Sequence, residues 1–232
     1  MNVLIVHAHP EPKSFSGALM RTAFEEFTSQ GHSVLISDLY AMKWNPVASS
    51  GDFCRRTNKD YLVYAMEQRH NYENGSLADD VAAEIEKVKW CDLLVFNFPI
   101  YWFSEPAILK GWIDRVMVSG LFYGGRRIYS AGGMRGKRAM VTVTLGGREH
   151  MFGPEAIHGE LEAMLRPLLQ GTFGYCGFGV LPPFAAYHVP YISDYARNKI
   201  LNDYRQWLGD LNSLTPVRMP SLEHFDQEFR PL

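Results

Sequence analysis

The chain has 232 residues, 47% of them hydrophobic, and 23 lysines and arginines against 25 aspartates and glutamates give a formal net charge of −2. That length can bury a sizeable core with one domain as the simplest division, and the balanced charge, with no basic stripe, excludes a nucleic-acid partner. Cys54, Cys91 and Cys176 form no Cys-x-x-Cys pair, which argues against a disulfide framework or a thiolate metal site and fits a reducing compartment.

In chain order, Val3–Ala8 reads as a strand buried on both faces. Phe15–Gln30 follows as a helix with Ser14 as N-cap, stopped by Gly31. Ser33–Ser37 is a second strand, and residues 39–75 are expected to be irregular. Leu77–Trp90 is an amphipathic helix whose wet face would carry Asp79, Asp80, Glu84, Glu86, Lys87 and Lys89. Leu93–Phe98 is a third buried strand ended by Pro99, Ile108–Val118 a helix, and 120–136 a Gly- and Arg-rich loop. Arg138–Thr144 is a fourth strand, Glu155–Leu169 a helix with His158 early in it, Phe178–Leu181 a fifth strand and Ser193–Leu211 a last helix. The arginine clusters Arg55-Arg56, Arg126-Arg127 and Arg135 to Arg138 read as solvated loops. No basic leader precedes the first strand and no apolar run nears the ~20 residues that span a bilayer, so a soluble, cytoplasmic protein without stable membrane insertion is expected.

Strands alternating with helices imply a doubly wound parallel sheet, covered by helices on both faces through right-handed crossovers. Ligands bind such sheets beyond the carboxyl ends of the strands, which nominates three loops: 9–16, 99–103 and 146–152.

His9-Pro-Glu-Pro-Lys-Ser-Phe-Ser16 lacks both Gly-x-Gly-x-x-Gly and Gly-Lys-Ser/Thr, so neither a dinucleotide fingerprint nor a P-loop is present. It offers free amides at a helix start, which suit a phosphate as well as an ordinary cap. His7 and His9, two apart on a strand, would share a face, but no third metal ligand is evident. Pro99-Ile-Tyr-Trp-Phe-Ser-Glu-Pro106 sets three aromatics at a strand mouth, to stack on a planar group or to plug an edge or interface. In Thr144-Leu-Gly-Gly the two bare glycines would let a flat ring approach the backbone. No Gly-x-Ser-x-Gly elbow occurs, and His158 reads either as a packed structural residue or as a catalyst. Together the loops suit a large, flat, phosphorylated cofactor, with a flavin as the simplest candidate.

The segments V3-L-I-V-H-A-H-P, S37-D-L-Y-A-M, F98-P-I-Y-W-F-S-E-P-A-I-L-K-G-W112, T144-L-G-G, I157-H-G and C176-G-F resemble the flavodoxin-like NAD(P)H quinone oxidoreductases of the DT-diaphorase type, in order and spacing from Val3 to about Phe229. The resemblance implies an α/β, flavodoxin-like, five-stranded parallel sheet of order 2-1-3-4-5 in a single domain over 1–232, with a tail from about 213 covering the active site. It implies FAD more than FMN, NAD(P)H as co-substrate, a quinone acceptor, ping-pong two-electron hydride transfer, no metal, and a homodimer with sites at the subunit interface. His9, Ser14, Phe15 and Ser16 would hold the phosphates and ribityl chain. Pro99, Ile100, Tyr101, Trp102, Phe103, Thr144, Leu145, Gly146 and Gly147 would hold the ring, and Arg197, Leu201 and a partner's Asp114 the adenine end. Trp102, Phe103, Tyr123, Ile128, Tyr175, Tyr191 and Phe229 would form the substrate pocket and its rim, with Tyr123 and Ile128 from the partner chain; Gly125 stands at a further rim position. Gly146, Gly147, Phe152 and His158 would be the catalytic set, with Phe152 where the vertebrate enzymes carry a tyrosine hydroxyl. A competing reading, from a related bacterial group, is a flavoprotein regulator docked on a potassium-efflux transporter; a bare electron-carrier flavodoxin fits less well, because such proteins are strongly acidic.

Overall fold

A computed structural model describes residues 1–232. Its centre is a parallel sheet in the order β2-β1-β3-β4-β5, with β6 also paired to β4. The strands are β1 (Asn2–His7), β2 (Ser33–Asp38), β3 (Leu93–Pro99), β4 (Arg138–Thr144), β5 (Gly179–Val180) and β6 (Phe184–Ala186). The sequence reading gives this order correctly but counts five strands. Pro182 and Pro183 explain the difference: they lack the amide a ladder needs, so the edge strand stops after β5 and resumes as β6. All pairings are parallel, and the register His7↔Asn97 and Pro99↔Thr144 brings the carboxyl ends of β1, β3 and β4 level.

Helices α1 (Phe15–Ser29) and α7 (Asp194–Gly209) cover one face, over a core that includes Val3, Ile5, Leu93, Val95, Met140 and Tyr204. The other face packs α3 (Asp79–Trp90) and α4 (Ala107–Val116) over Leu4, Val6, Leu94, Phe96, Val141 and Trp112. There the Phe96 ring meets Trp112 edge-on, 5.5 Å between centroids, a favoured aromatic geometry. Ser14 caps α1 by accepting from the Gly17 amide at 3.0 Å.

Several segments differ from the sequence reading. The 39–75 stretch contains α2 (Tyr64–Glu73). This helix has no apolar stripe because it buries polar side chains, Glu67, Gln68 and Asn71. Glu67 accepts the amides of Thr57 and Asn58 and the Thr57 hydroxyl, and so ties the preceding loop to the helix. Glu84 does not lie on a wet face: it is buried, takes the Trp112 indole N–H at 2.9 Å and pairs with Lys87. The expected helix over 155–169 is broken, because Gly159, at φ 70°, and Pro167 interrupt it. What forms are the short turns α5 (Leu161–Met164) and α6 (Arg166–Leu168) and a π-helical turn Leu169–Gly174, so His158 precedes the helical turns. His7 and His9 share no strand face, because β1 ends at His7. Arg126 is not simply solvated: it donates to the Asp226 carbonyl at 2.7 Å and lies over the Phe229 ring. That contact seats the C-terminal tail on the chain's own 120–131 loop, where the Leu222 amide also bonds the Ser130 hydroxyl. Within the chain, no hydrogen bond or ring contact joins this tail to Trp102, Phe103 or His158.

Candidate active site

At the carboxyl edge of the sheet two adjoining cavities share Ile100, Leu145 and Gly146. The first, about 290 Å³, is lined by His9, Phe15, Ser16, Pro99, Tyr101 and Thr144 along with the shared residues, and by Val189 and Pro190. Its floor is tied by the Ser16 hydroxyl, buried 2.7 Å from the Thr144 hydroxyl, which joins the start of α1 to the end of β4. The amides of Phe15 and Ser16, the first two of α1, have no partner in the chain. Unsatisfied amides at a helix start draw an anion, helped by the helix dipole. His9 Nδ1 accepts the Glu11 amide at 3.0 Å, and burial, with the nearby His7, lowers its pKa. His7 lies beneath, buried 2.6 Å from Asn97 Oδ1, its pKa lowered by burial.

The second cavity, about 240 Å³, is walled by Trp102, Phe103, Gly147, Phe152, His158 and Met164. Its aromatic wall is a tight turn. Tyr101 and Ser104 exchange backbone hydrogen bonds at 2.9 and 3.0 Å, and the two residues between them, Trp102 and Phe103, have φ of 50° and 63°. A two-residue turn with both centres at positive φ ordinarily takes Asn-Gly. Bulky aromatics there cost roughly 1–2 kcal/mol each. Trp102 is also 96% exposed, so folding gains little from its side chain.

The glycines opposite differ from one another. A side chain on Gly147 would strike the Phe152 ring at 2.9 Å. A Cβ on Gly146 would meet only the edge of Tyr191 at 4.0 Å, and Gly146 is not at positive φ. Neither backbone conformation nor crowding within the chain calls for glycine at 146. The His158 ring sits between aromatic rings, 5.2 Å from Phe152 and 5.5 Å from Phe103, and makes no hydrogen bond, while its amide donates to the Met151 carbonyl at 3.0 Å. Beyond Phe152 lies Tyr187 at 5.5 Å, its pKa raised by burial and by Glu149.

The remaining residues named from the sequence lie elsewhere in the chain. Asp114, paired with Lys110, lines a separate cavity of about 450 Å³ with Tyr123 and Tyr175, whose rings are 5.5 Å apart. Ile128 is buried in the 120–131 loop, and Phe229 lies on Arg126. Arg197, at the start of α7, reaches the Val189 carbonyl at 3.3 Å, close to the first cavity, while Leu201 packs against the α1–α7 core. Tyr191 is 74% exposed near Gly146. The sequence reading missed Met164, Tyr187, His188, Val189 and Pro190. The last four follow β6, so the rule that nominated the other loops would have found them had that strand been read. No group of three or more His, Cys, Asp or Glu side chains suited to a metal ion occurs in the structure.

The flavodoxin-like fold family matches residues 1–208. A human ribosyldihydronicotinamide dehydrogenase [quinone] is 39% identical over 226 residues, 97% of this chain and 98% of that protein. The chain belongs to the flavodoxin-like NAD(P)H quinone oxidoreductases. The rat NAD(P)H dehydrogenase [quinone] 1 is 35% identical over 98% of this chain and 83% of its own length. A Klebsiella pneumoniae structure described as a quinone reductase superposes with a TM-score of 0.90, at 34% identity, over 99% of this chain and 90% of that one. A more distant structure, general stress protein 14 of Treponema denticola, was solved with FMN (TM-score 0.63, 26% identity, 91% of this chain, 99% of that one). This quinone oxidoreductase is an enzyme by family, and no helix in it is long and apolar enough to cross a membrane.

Proposed function

We propose that this chain is a flavin-dependent NAD(P)H dehydrogenase (quinone) that carries two electrons from a dihydronicotinamide to a quinone. Gly146 carries the reading: a glycine that neither its φ nor its neighbours require, on the wall shared by a cavity with helix-start amides and a cleft with aromatic walls. Bare backbone in that position suits close approach by a flat ring system.

A flavin, when bound, supplies the redox chemistry that no side chain here can. Phe15, Ser16, Ser14 and His9 would bind its phosphate and ribityl portion, and Pro99–Phe103 with Thr144–Gly147 would hold the ring. Arg197 and Leu201 would lie toward the adenine, which favours FAD over FMN. Trp102, Phe103, Phe152 and His158 would then orient donor and acceptor in turn at one face, and such orientation supplies much of the rate. Their apolar rings would exclude water from the transfer. Asp114, Tyr123, Tyr175, Ile128 and Phe229 lie away from this cleft in one chain, which supports their being offered to the site of a second copy in a homodimer. A cytoplasmic location fits this activity. Nothing in the relatives described favours a transporter regulator.

The test is to release the cofactor from purified protein and identify it by mass, then compare NADH, NADPH and ribosyl-dihydronicotinamide as donors with a soluble quinone. A protein purified without any flavin overturns the reading.

A further inference from the structure

His188 follows β6 and belongs to no motif singled out in the sequence. Its backbone is left-handed, with φ of 56°, a conformation histidine enters more readily than most side chains. From there it grips both glycines of the loop opposite. Its amide donates to the Gly147 carbonyl at 2.8 Å, and its ring Nδ1 lies 2.9 Å from the Gly146 carbonyl. A carbonyl oxygen only accepts, so Nδ1 carries the proton. One residue further on, the Val189 amide donates to the Leu145 carbonyl at 3.2 Å. The ring rests beside Tyr191, 4.9 Å between centroids.

The geometry of the peptide unit turns these contacts into a prediction. Within one planar trans peptide the C=O and the following N–H point in opposite directions. The Leu145 carbonyl is held by Val189, so the Gly146 N–H points away from the β6 side. The Gly146 carbonyl is held by the His188 ring, so the Gly147 N–H points away from it too. Neither amide has a partner in the chain. Two adjacent glycines would otherwise rotate their peptide planes freely.

We propose that His188 is a positioning residue. It locks the Gly146–Gly147 peptide, while Val189 holds the one before it, so that the Gly147 amide stays free and is aimed, with the Gly146 amide, at an acceptor atom of the bound ring, and it thereby raises the reduction potential of the flavin. Donors fixed in advance favour the more electron-rich, reduced ring over the oxidised one without having to reorganise. This rests on the flavin reading above.

The test compares wild type with His188→Ala and His188→Asn. The asparagine side-chain amide can stand where Nδ1 stands, donates a hydrogen bond, and tolerates left-handed backbone. Two quantities are measured: flavin affinity, by titrating flavin into the stripped protein, and the two-electron potential of the bound flavin against a reference dye. His188→Ala is expected to bind flavin about fivefold to tenfold more weakly, the scale of one hydrogen bond. It is also expected to shift the potential to more negative values, by about 30 mV for each tenfold loss in preference for the reduced form. His188→Asn is expected to restore both. An unchanged potential in His188→Ala, or no recovery in His188→Asn, overturns the proposal. Where the alanine variant is unstable, His188→Asp against His188→Asn separates donor from shape, since the carboxylate cannot donate; equal potentials for that pair overturn it as well. A wild type that binds no flavin overturns the flavin reading itself, whereas flavin-loaded variants indistinguishable from wild type overturn only the role of His188.

Discussion

The buried cluster around Arg115 and the loop cluster at the sheet's carboxyl edge treat polar groups in opposite ways. The Arg115 guanidinium, 4% exposed, donates to Asp52 through Nε and Nη2 at 3.0 and 2.7 Å, and through Nη1 to Asp80 and to the Asn45 carbonyl. Tyr64 adds its hydroxyl to Asp52 at 2.5 Å, and the Trp44 ring covers the guanidinium at 4.6 Å. At the carboxyl edge the amides of Phe15, Ser16, Trp102, Phe103, Gly146 and Gly147 have no partner, and two large aromatics hold positive φ. In the first cluster every charged group is paired, only the Trp44 indole N–H being buried without a partner, and the cluster holds the 44–64 segment to α3 and α4. The second keeps donors unpaired and backbone strained, costs that folding does not need. Polar richness alone does not mark a site; unmet hydrogen bonding beside strain does.

The largest effect that can break this contrast is at Arg115. Arg115→Ala leaves Asp52 buried without its partner and should cost about 3–5 kcal/mol, read from the urea midpoint. Flavin affinity of the molecules that remain folded should not change. A small stability loss with a large loss of affinity would mean that the two clusters are one. Acid should act on the buried carboxylates of this region, Asp52 and nearby Glu67. Burial by itself raises the Asp52 pKa, but the bonds from Arg115 and Tyr64 outweigh it and lower the pKa. The Thr57 hydroxyl leads in holding Glu67 down, to about 2 from 4.5. A carboxyl depressed in the folded state contributes stability above its unfolded pKa and loses it as pH falls through the folded one. Stability should therefore fall between pH 4.5 and about 2, and Glu67→Gln should flatten that decline in an acid titration followed by circular dichroism.

At the unsatisfied edge, Gly146→Ala separates a ligand's need from the chain's own. With open space and no positive φ at 146, the stripped protein should keep its stability or gain about 0.4–1 kcal/mol. Flavin binding should weaken about fivefold to 150-fold, because a methyl group in the bed costs roughly 1–3 kcal/mol. Unchanged flavin affinity would move the ring off Gly146. Phe103→Asn should do less: relief of strain offsets lost packing, leaving stability within about 1 kcal/mol. Its effect should appear in kcat/KM for the quinone, down about tenfold, as expected for losing one aromatic wall.

The part of this fold that was legible in the sequence was the part whose signal is local. Leu93–Pro99 and Arg138–Thr144 are continuous apolar runs, and Ser14 marks the start of α1 in the chain itself. Helix α2 carried no such mark, because Glu67, Gln68 and Asn71 are its inward residues and their partners, Thr57 and Ser76 among them, are known only once the loop is folded. Strand β6 has three residues behind a Pro-Pro pair, too short for any periodicity. Missing it hid Tyr187 to Pro190. The three nominated loops do meet, because the register of β1, β3 and β4 is set by the same apolar runs that revealed the strands. Asp114, Tyr123 and Tyr175 group with one another instead, a placement that depends on how α4 packs and that no single stretch of sequence encodes.

The smallest effect concerns the one titratable side chain inside the aromatic cleft. The His158 ring has aromatic neighbours on two sides and no hydrogen bond of its own, and Phe152 beside it has no hydroxyl to offer. If His158 stabilises charge that develops during transfer, it does so directly or through water, with the worth of about one hydrogen bond. His158→Ala should then slow flavin reduction by NAD(P)H about fivefold in stopped-flow, with stability within about 1 kcal/mol because the ring is only partly buried and has no hydrogen bond to lose. Phe152→Tyr adds a hydroxyl to the ring beside His158, and should raise the same rate by a similar factor if a donor is what the cleft lacks. An unchanged rate in His158→Ala removes it from the mechanism and leaves orientation by Trp102 and Phe103, with the donors of Gly146 and Gly147, as the whole of the catalytic contribution from this cleft.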